Sequence, residues 1–185
     1  MIRGLQNIDF EIGAEGGLVN YVDDIISIVK PSNGFVIELG VYTGRSSTVA
    51  IQQGLAGNAD PLHISVDIED RMTWEPDVPW WHKIIADDRL PETRDRAAAI
   101  AGNRKAGVIY IDTVHGYDQM KAELELWSVL ADDQTEFLFH DTWEYGSYNV
   151  RMNIAIIEFA AATGREFIDW RQDMHGLGRM RSSRI

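Results

Sequence analysis

Two stretches of the chain end apolar runs in groups able to hold a cation or move a proton. In GVIYIDTVHGY, residues 107–117, Asp112 closes the run and His115 follows three positions later. In EFLFHDTW, residues 136–143, His140 and Asp141 close a second run. Carboxylates are hard oxygen ligands suited to magnesium, while an imidazole titrates near neutral pH and can serve as a general base. A hydroxyl held by a divalent cation gives up its proton more readily, and a base beside it can take that proton. Asp112, His140 and Asp141 are therefore the candidate metal ligands, and Asp112 and His115 the candidate catalytic pair. Imidazole is a poor magnesium ligand, so His140 leaves manganese, zinc or no metal open. The bland alternative for His115 is a local one, a ring tying down its own loop through Asp112 or a backbone carbonyl.

A third constellation lies upstream. VIELGVYTGRSS carries Glu38 at the end of an apolar run, then Gly40 and Gly44 before a helical pattern begins. Glycines there allow a sharp turn and a close backbone approach to a ligand, and the helix that follows offers unpaired N–H groups. The dinucleotide fingerprint G-x-G-x-x-G fails because Tyr42 and Arg45 stand where glycines are required, and no Gly-Lys-Ser/Thr follows to make a phosphate loop. Asp67, ending ISVD, stands where a doubly wound fold puts an acid that bonds ribose hydroxyls.

Five short apolar runs must position these groups: Phe35 to Leu39, Leu62 to Asp67, His82 to Asp87, Gly107 to Asp112 and Glu136 to Asp141. Their β-branched and aromatic content with little alternation predicts parallel strands covered on both faces. Helical periods separate most of them, which is the pattern of a sheet with crossover helices. YDQMKAELELWSVL sets Tyr117, Met120, Leu124, Trp127 and Leu130 on one face, with Lys121, Glu123 and Glu125 expected to face away. Helices are also predicted for GLVNYVDDIISIVK, stopping at Pro31, for SSTVAIQQGLAG, for LPETRDRAAAIAG with Pro91 in its first turn, and for VRMNIAIIEFAAATG, closing on Gly164. EFIDW and HGLGRM are two weaker strand candidates. EDRMTWEPDVPWW is too rich in proline for a full crossover helix and reads as a loop, whose Trp74, Trp80 and Trp81 either pack on the sheet edge or face a ligand. Trp143, Tyr145 and Tyr148 in TWEYGSY are equally open between plain packing and the wall of an acceptor pocket.

The bulk numbers narrow the field. At 185 residues and 45% hydrophobic content, residues 1–185 are expected to form a single domain. A formal charge of −12 repels phosphate backbones and argues against nucleic acid as a partner. The absence of cysteine excludes disulfides and thiolate metal sites and fits a reducing compartment. No run has the apolar length of a signal peptide core or a membrane span, so the expected setting is cytoplasmic, with no membrane partner.

Taken in order, FVIELGVYTGRSS, ISVDIED, IIADD, IYIDTVHGYDQMKAELELW and FLFHDTW resemble the successive motifs of Rossmann-like S-adenosylmethionine-dependent methyltransferases. Within that class they are most similar to the macrocin O-methyltransferase and cephalosporin hydroxylase group. The resemblance covers roughly residues 17–180 and implies a doubly wound, seven-stranded, mostly parallel α/β sheet with helices on both faces and the last strand antiparallel. It implies that Glu38, Gly40 and Gly44 shape the methionine and ribose side of an S-adenosylmethionine pocket, that Asp67 holds the ribose, and that Asp87 lies near the adenine. It also implies O-methylation of a small hydroxylated molecule, assisted by a divalent metal such as magnesium or manganese at the positions of Asp112, His140 and Asp141. A cephalosporin-hydroxylase-like reaction on the same scaffold and a non-catalytic binding module are the alternatives. A chain this short leaves room for a small acceptor or for a site completed in a homo-oligomer. ADDQTEF departs from the family in lacking a Pro-Gly-Gly turn before the fifth strand. The short segment around Trp74 to Trp81 alters the wall beside the adenine.

Overall fold

A computed structural model describes residues 20–102, 104–144, 147–173 and 175–183. In chain order the elements are α1 (Val22–Val29), β1 (Phe35–Leu39), α2 (Ser47–Leu55), β2 (His63–Asp67), β3 (Trp81–Ile85), α3 (Pro91–Ala101), β4 (Ala106–Ile111), α4 (Tyr117–Trp127), β5 (Glu136–His140), β6 (Trp143–Glu144), β7 (Ser147–Tyr148), α5 (Val150–Thr163), β8 (Arg165–Arg171) and β9 (Leu177–Ser182). Seven strands form one sheet in the order β3-β2-β1-β4-β5-β9-β8, and β6 and β7 make a small hairpin apart from it. Strands β1 to β5 pair in parallel, while β9 runs antiparallel to both β5 and β8. The weak C-terminal strand candidates thus close the sheet, and the last strand is the antiparallel one.

Alternation along β1 and β4 divides the core. Phe35, Ile37, Leu39, Ile109 and Ile111 pack against Ala97, Met120, Leu124, Trp127 and Ile156 of α3, α4 and α5. Val36, Val108, Tyr110 and Leu138 face the other way, onto Ile25, Val29, Ile51 and Leu55 of α1 and α2. Burial on both faces explains why these strands read as near-continuous apolar runs. The predicted helix 17–30 is seen from residue 20 onward, and its first residues lie outside the described ones. Residues 68–80 cross from β2 to β3 without a helix, as the prolines required. Among the described residues no helix is long and apolar enough to cross a membrane.

One helix face differs from the expectation. Glu123 does not face away: it is fully buried, accepting from Thr113 Oγ1 at 2.6 Å and from Gln119. Met120, Glu123, Leu124 and Trp127 follow the i, i+3, i+4, i+7 spacing of a single stripe, so helical geometry carries the carboxyl inward with its apolar neighbours.

Candidate active site

Asp67, Asp87, Asp112 and Asp141 all stand at the carboxyl ends of parallel strands, where open α/β sheets bind ligands. A cleft of about 360 Å³ opens there, lined by Gly40, Asp67, Asp87, Asp88, Asp112 and Gln119 among others. It lies over β1 and β4, where the order of strands reverses. A larger groove of about 640 Å³ runs along the opposite ends of the strands, past Gly34, Lys105 and Gln134. The smaller cleft is the better candidate, because the strand-end acids converge on it.

The turn after β1 is built by the protein for its own packing. Gly40 has φ +82°, and a Cβ there would stand 1.8 Å from the carbonyl oxygen of Asp112. Gly44 has φ +74°, and a Cβ would press on the Trp74 carbonyl at 2.6 Å. Both glycines are thus required by close approach of β4 and of the 68–80 loop, independently of any ligand. Asp67 fixes the turn from the side: its Oδ2 accepts from the backbone N–H groups of Val41 and Tyr42 at 2.8 and 2.9 Å. Half-buried on the cleft wall, its carboxylate still has lone pairs to offer.

Glu38 differs from the expectation of a ligand-facing acid. It is fully buried under the turn, accepting from Ser47 Oγ, Thr48 Oγ1 and Ser65 Oγ at 2.7 to 3.0 Å, with His63 Nε2 at 3.1 Å. It shares the face of Val36, so the strand turns it toward α2 and away from the opening. Gln52 Nε2 and Trp81 Nε1 extend this network through His63 and Ser65. Trp81 is thereby a packing residue of the sheet edge, as is Trp80, which lies against the α1/α2 side of the core. Asp87 lies on the cleft with its carboxylate bridged by Arg89 at 2.7 Å. The hydrogen bonds and charge of Arg89 hold its carboxyl below the usual range.

The two polar pairs meet at the ends of β4 and β5. Asp112 Oδ1 lies 3.3 Å from His140 Nδ1, and Asp141 Oδ2 lies 3.0 Å from both His140 Nδ1 and His115 Nε2. Asp141 has φ +56°, uncommon for a residue with a side chain, and strain of this kind collects at functional sites. Ligand atoms of Asp112, His115 and Asp141 all lie within 4.8 Å of one another, close enough to hold one ion. His140, expected in that set, sits beneath it. It shares the face of Leu138, so its ring lies edge-on to Tyr21, buried, with Nδ1 aimed up between the two carboxylates.

Burial alone would raise the carboxyls and lower the imidazoles, but the mutual contacts outweigh it. His140 and His115 bring Asp112 down to about 2, and they hold Asp141 well below the usual carboxylate range. Against the same desolvation, Asp112 and Asp141 lift His115 to about 10 and His140 to about 9. An imidazole so held keeps its proton at neutral pH, so with no cation present His115 is not the ready base its residue type suggested. Two carboxylates ask for two positive charges, which two imidazoliums or one divalent ion can supply.

Three contributors escaped the sequence reading. His175, just ahead of β9, places Nδ1 2.9 Å from Asp141 Oδ1 and stacks on His140 with centroids 5.7 Å apart. Register shows why, since Leu177 pairs with His140 and the residues before it must land beside Asp141. Tyr110, buried on β4, donates its hydroxyl to Asp112 Oδ2 at 3.2 Å. Asp88, on the cleft, accepts from Gln119 at 3.0 Å. Burial and the charge of Asp88 push Glu123, below the cleft floor, up to about 8. Of the TWEYGSY aromatics, Trp143 and Tyr148 meet edge to face at 5.9 Å with Trp143 Nε1 bonded to Asp169, and Tyr145 lies outside the described residues.

A family model described as a methyltransferase domain matches residues 37–142, from within β1 to just past Asp141. None of the curated proteins matches the sequence. Solved structures do. CalS11, a TDP-rhamnose 3'-O-methyltransferase of calicheamicin biosynthesis, is 16% identical with a TM-score of 0.66, over 90% of this chain and 79% of that one. The O-methyltransferase NovP is 13% identical with a TM-score of 0.64, over 89% and 80%. MycE, from the mycinamycin biosynthetic pathway and solved with Mg and SAH, is 11% identical with a TM-score of 0.62, over 91% of this chain and 50% of that one. At such identities the likeness speaks to the fold, and the match over more than half of the sequence speaks to descent. The chain belongs to the methyltransferase domain family, as an enzyme with the Rossmann-like sheet of that class.

Proposed function

We propose that this chain transfers the methyl group of S-adenosylmethionine to a hydroxyl of a small molecule, assisted by a divalent cation. One observation carries the reading: Asp112 belongs both to the wall of the strand-end cleft and to the cluster with His115 and Asp141, so a cofactor and a cation would meet at one residue. Two carboxylate oxygens and a ring nitrogen within 4.8 Å are a donor set of the kind divalent metals accept. Bound there, the cation would lower the pKa of an acceptor hydroxyl and fix its direction, so that its proton leaves to water as the cofactor gives up its sulfonium methyl and departs as the neutral thioether S-adenosylhomocysteine.

The protein's own part is positioning. Gly40 lets the turn cross Asp112 closely, Asp67 braces that turn and offers its carboxylate to ribose hydroxyls, and Asp87 and Asp88 border the adenine side. His140 and His175 hold Asp112 and Asp141 in register for the acceptor. Aligning two reactants this way removes much of the barrier to a bimolecular transfer. The fold shared with methyltransferases of sugar and natural-product pathways and the modest cleft both support a small polyhydroxylated or phenolic acceptor.

Incubation with methyl-labelled cofactor, a divalent cation and a panel of deoxysugar nucleotides, polyols and catechols tests the reading. Label should pass to at least one hydroxylated acceptor. Tight cofactor binding with no transfer to any member of the panel would count against O-methylation, and no cofactor binding would sink the whole reading.

A further inference from the structure

The position of His115 bears on which cation the strand-end cluster takes. Its Nε2 lies 3.0 Å from Asp141 Oδ2 and 3.7 Å from Asp112 Oδ1, shut off from solvent. It is nevertheless aligned with neither oxygen for a hydrogen bond. A buried ring nitrogen paired by charge with two carboxylates yet aligned with neither for a hydrogen bond is an exception among buried polar groups. The other members of the cluster are already engaged in ways that leave this direction open. His140 Nδ1 serves both carboxylates from beneath, and His175 Nδ1 takes Asp141 Oδ1, the oxygen facing away from His115.

We propose that Asp112, His115 Nε2 and Asp141 form a mixed imidazole and carboxylate site that prefers a borderline transition-metal dication to magnesium, with His115 as a direct ligand and not the base. The inference rests on the cation-assisted reading above and specifies its metal. Magnesium takes oxygen donors and sheds water reluctantly, so a ring nitrogen in its shell is a poor exchange for a water molecule. First-row metals accept imidazole, with affinity for such sites rising from manganese to cobalt. An all-carboxylate cluster would discriminate less steeply in this direction than the three-atom set with its one nitrogen.

Pulsed electron paramagnetic resonance of the Mn(II)-loaded full chain, with S-adenosylhomocysteine present, reads the ligand directly. The wild type should show the nitrogen coupling of a bound imidazole. His140→Asn should keep it, and His115→Asn should lose it while still binding manganese more weakly. Calorimetric competition should rank cobalt above manganese and manganese above magnesium, with roughly tenfold or more separating the last two. The wild-type spectrum needs no variant, so a misfolded substitution cannot hide the answer. Absence of nitrogen coupling, loss of it in His140→Asn instead, or equal affinity for magnesium would overturn the proposal. If magnesium supports methyl transfer without nitrogen coupling, only this inference fails. If no dication binds at all, the cation-assisted reading fails with it.

Discussion

Two clusters in this molecule are built from the same kinds of residue, carboxylate, imidazole and hydroxyl, on neighbouring strands. Around Glu38, every donor is turned inward: the carboxylate, His63, Ser65 and Thr48 are all fully buried and bonded to one another under the glycine turn. Around Asp141, three imidazoles crowd one carboxylate beside an open cleft, the backbone is in the left-handed region, and His115 Nε2 finds no aligned partner. The difference teaches that an acid at a strand end is not by itself a site. A closed set of donors is architecture, whereas strain together with an unmet group at a concave opening points to a ligand.

Substitutions can break that contrast. The largest effect is expected for Asp141→Asn, which removes charge from the open cluster: methyl transfer should fall by about 10²- to 10⁴-fold, with the far-ultraviolet spectrum and cooperative unfolding retained. Glu38→Ala should do the reverse. It leaves His63 and three hydroxyls buried without their acceptor, so denaturant unfolding should register a loss of about 3–5 kcal/mol, and activity should decline through the folded fraction. Retained stability in that variant would contradict the architectural role.

The pH dependence probes the open cluster. With no metal bound, His140 at about 9 and Asp112 at about 2 favour the folded state, since unfolded His and Asp titrate near about 6.5 and 3.9. Stability from the His140 contact is fully present below the unfolded histidine value and is lost as pH rises through 9. That from Asp112 is present above the unfolded aspartate value and is lost as pH falls toward 2. Melting curves of metal-free protein should therefore decline as pH rises from 6.5 through 9, by on the order of 3 kcal/mol from His140 alone, and His140→Asn should reduce that decline, leaving the part due to His115. A flat wild-type profile across that range would mean the imidazole is not held by the carboxylates.

A last change, one that grows toward alkaline pH, is expected at Glu123. Its folded value of about 8 lies above that of an unfolded glutamate, so the buried carboxyl favours folding only while protonated and subtracts stability as pH climbs from 4.5 to 8. Glu123→Gln keeps the shape without the titration, and should raise the melting temperature at pH 8.5 while leaving it unchanged at pH 4.5. An equal shift at both pH values would assign the effect to packing.

Much of this was legible in the sequence, for physical reasons. Strands buried on both faces leave unbroken apolar runs, and an acid is tolerated mainly where such a run meets solvent, so Asp67, Asp112 and Asp141 mark the carboxyl ends of the strands. What the one-dimensional reading lost was direction. Glu38 and His140 lie within strands, where alternation decides the face, and both turned toward α1 and α2. Glu123 reads as an outward charge by residue type, although its spacing puts it in the apolar stripe of α4. His175 needed the antiparallel register of β9 against β5, which follows from pairing across the sheet and not from neighbours in sequence.

The account's central claim is that cofactor and cation share one cleft through Asp112. Nuclear magnetic resonance of S-adenosylmethionine bound to the Mn(II)-loaded protein tests it most directly. The S-methyl resonance should broaden more than the adenine ring protons, and the effect should vanish in Asp141→Asn. Adenine protons broadened as much as the methyl, or a methyl resonance untouched while manganese is bound, would contradict it.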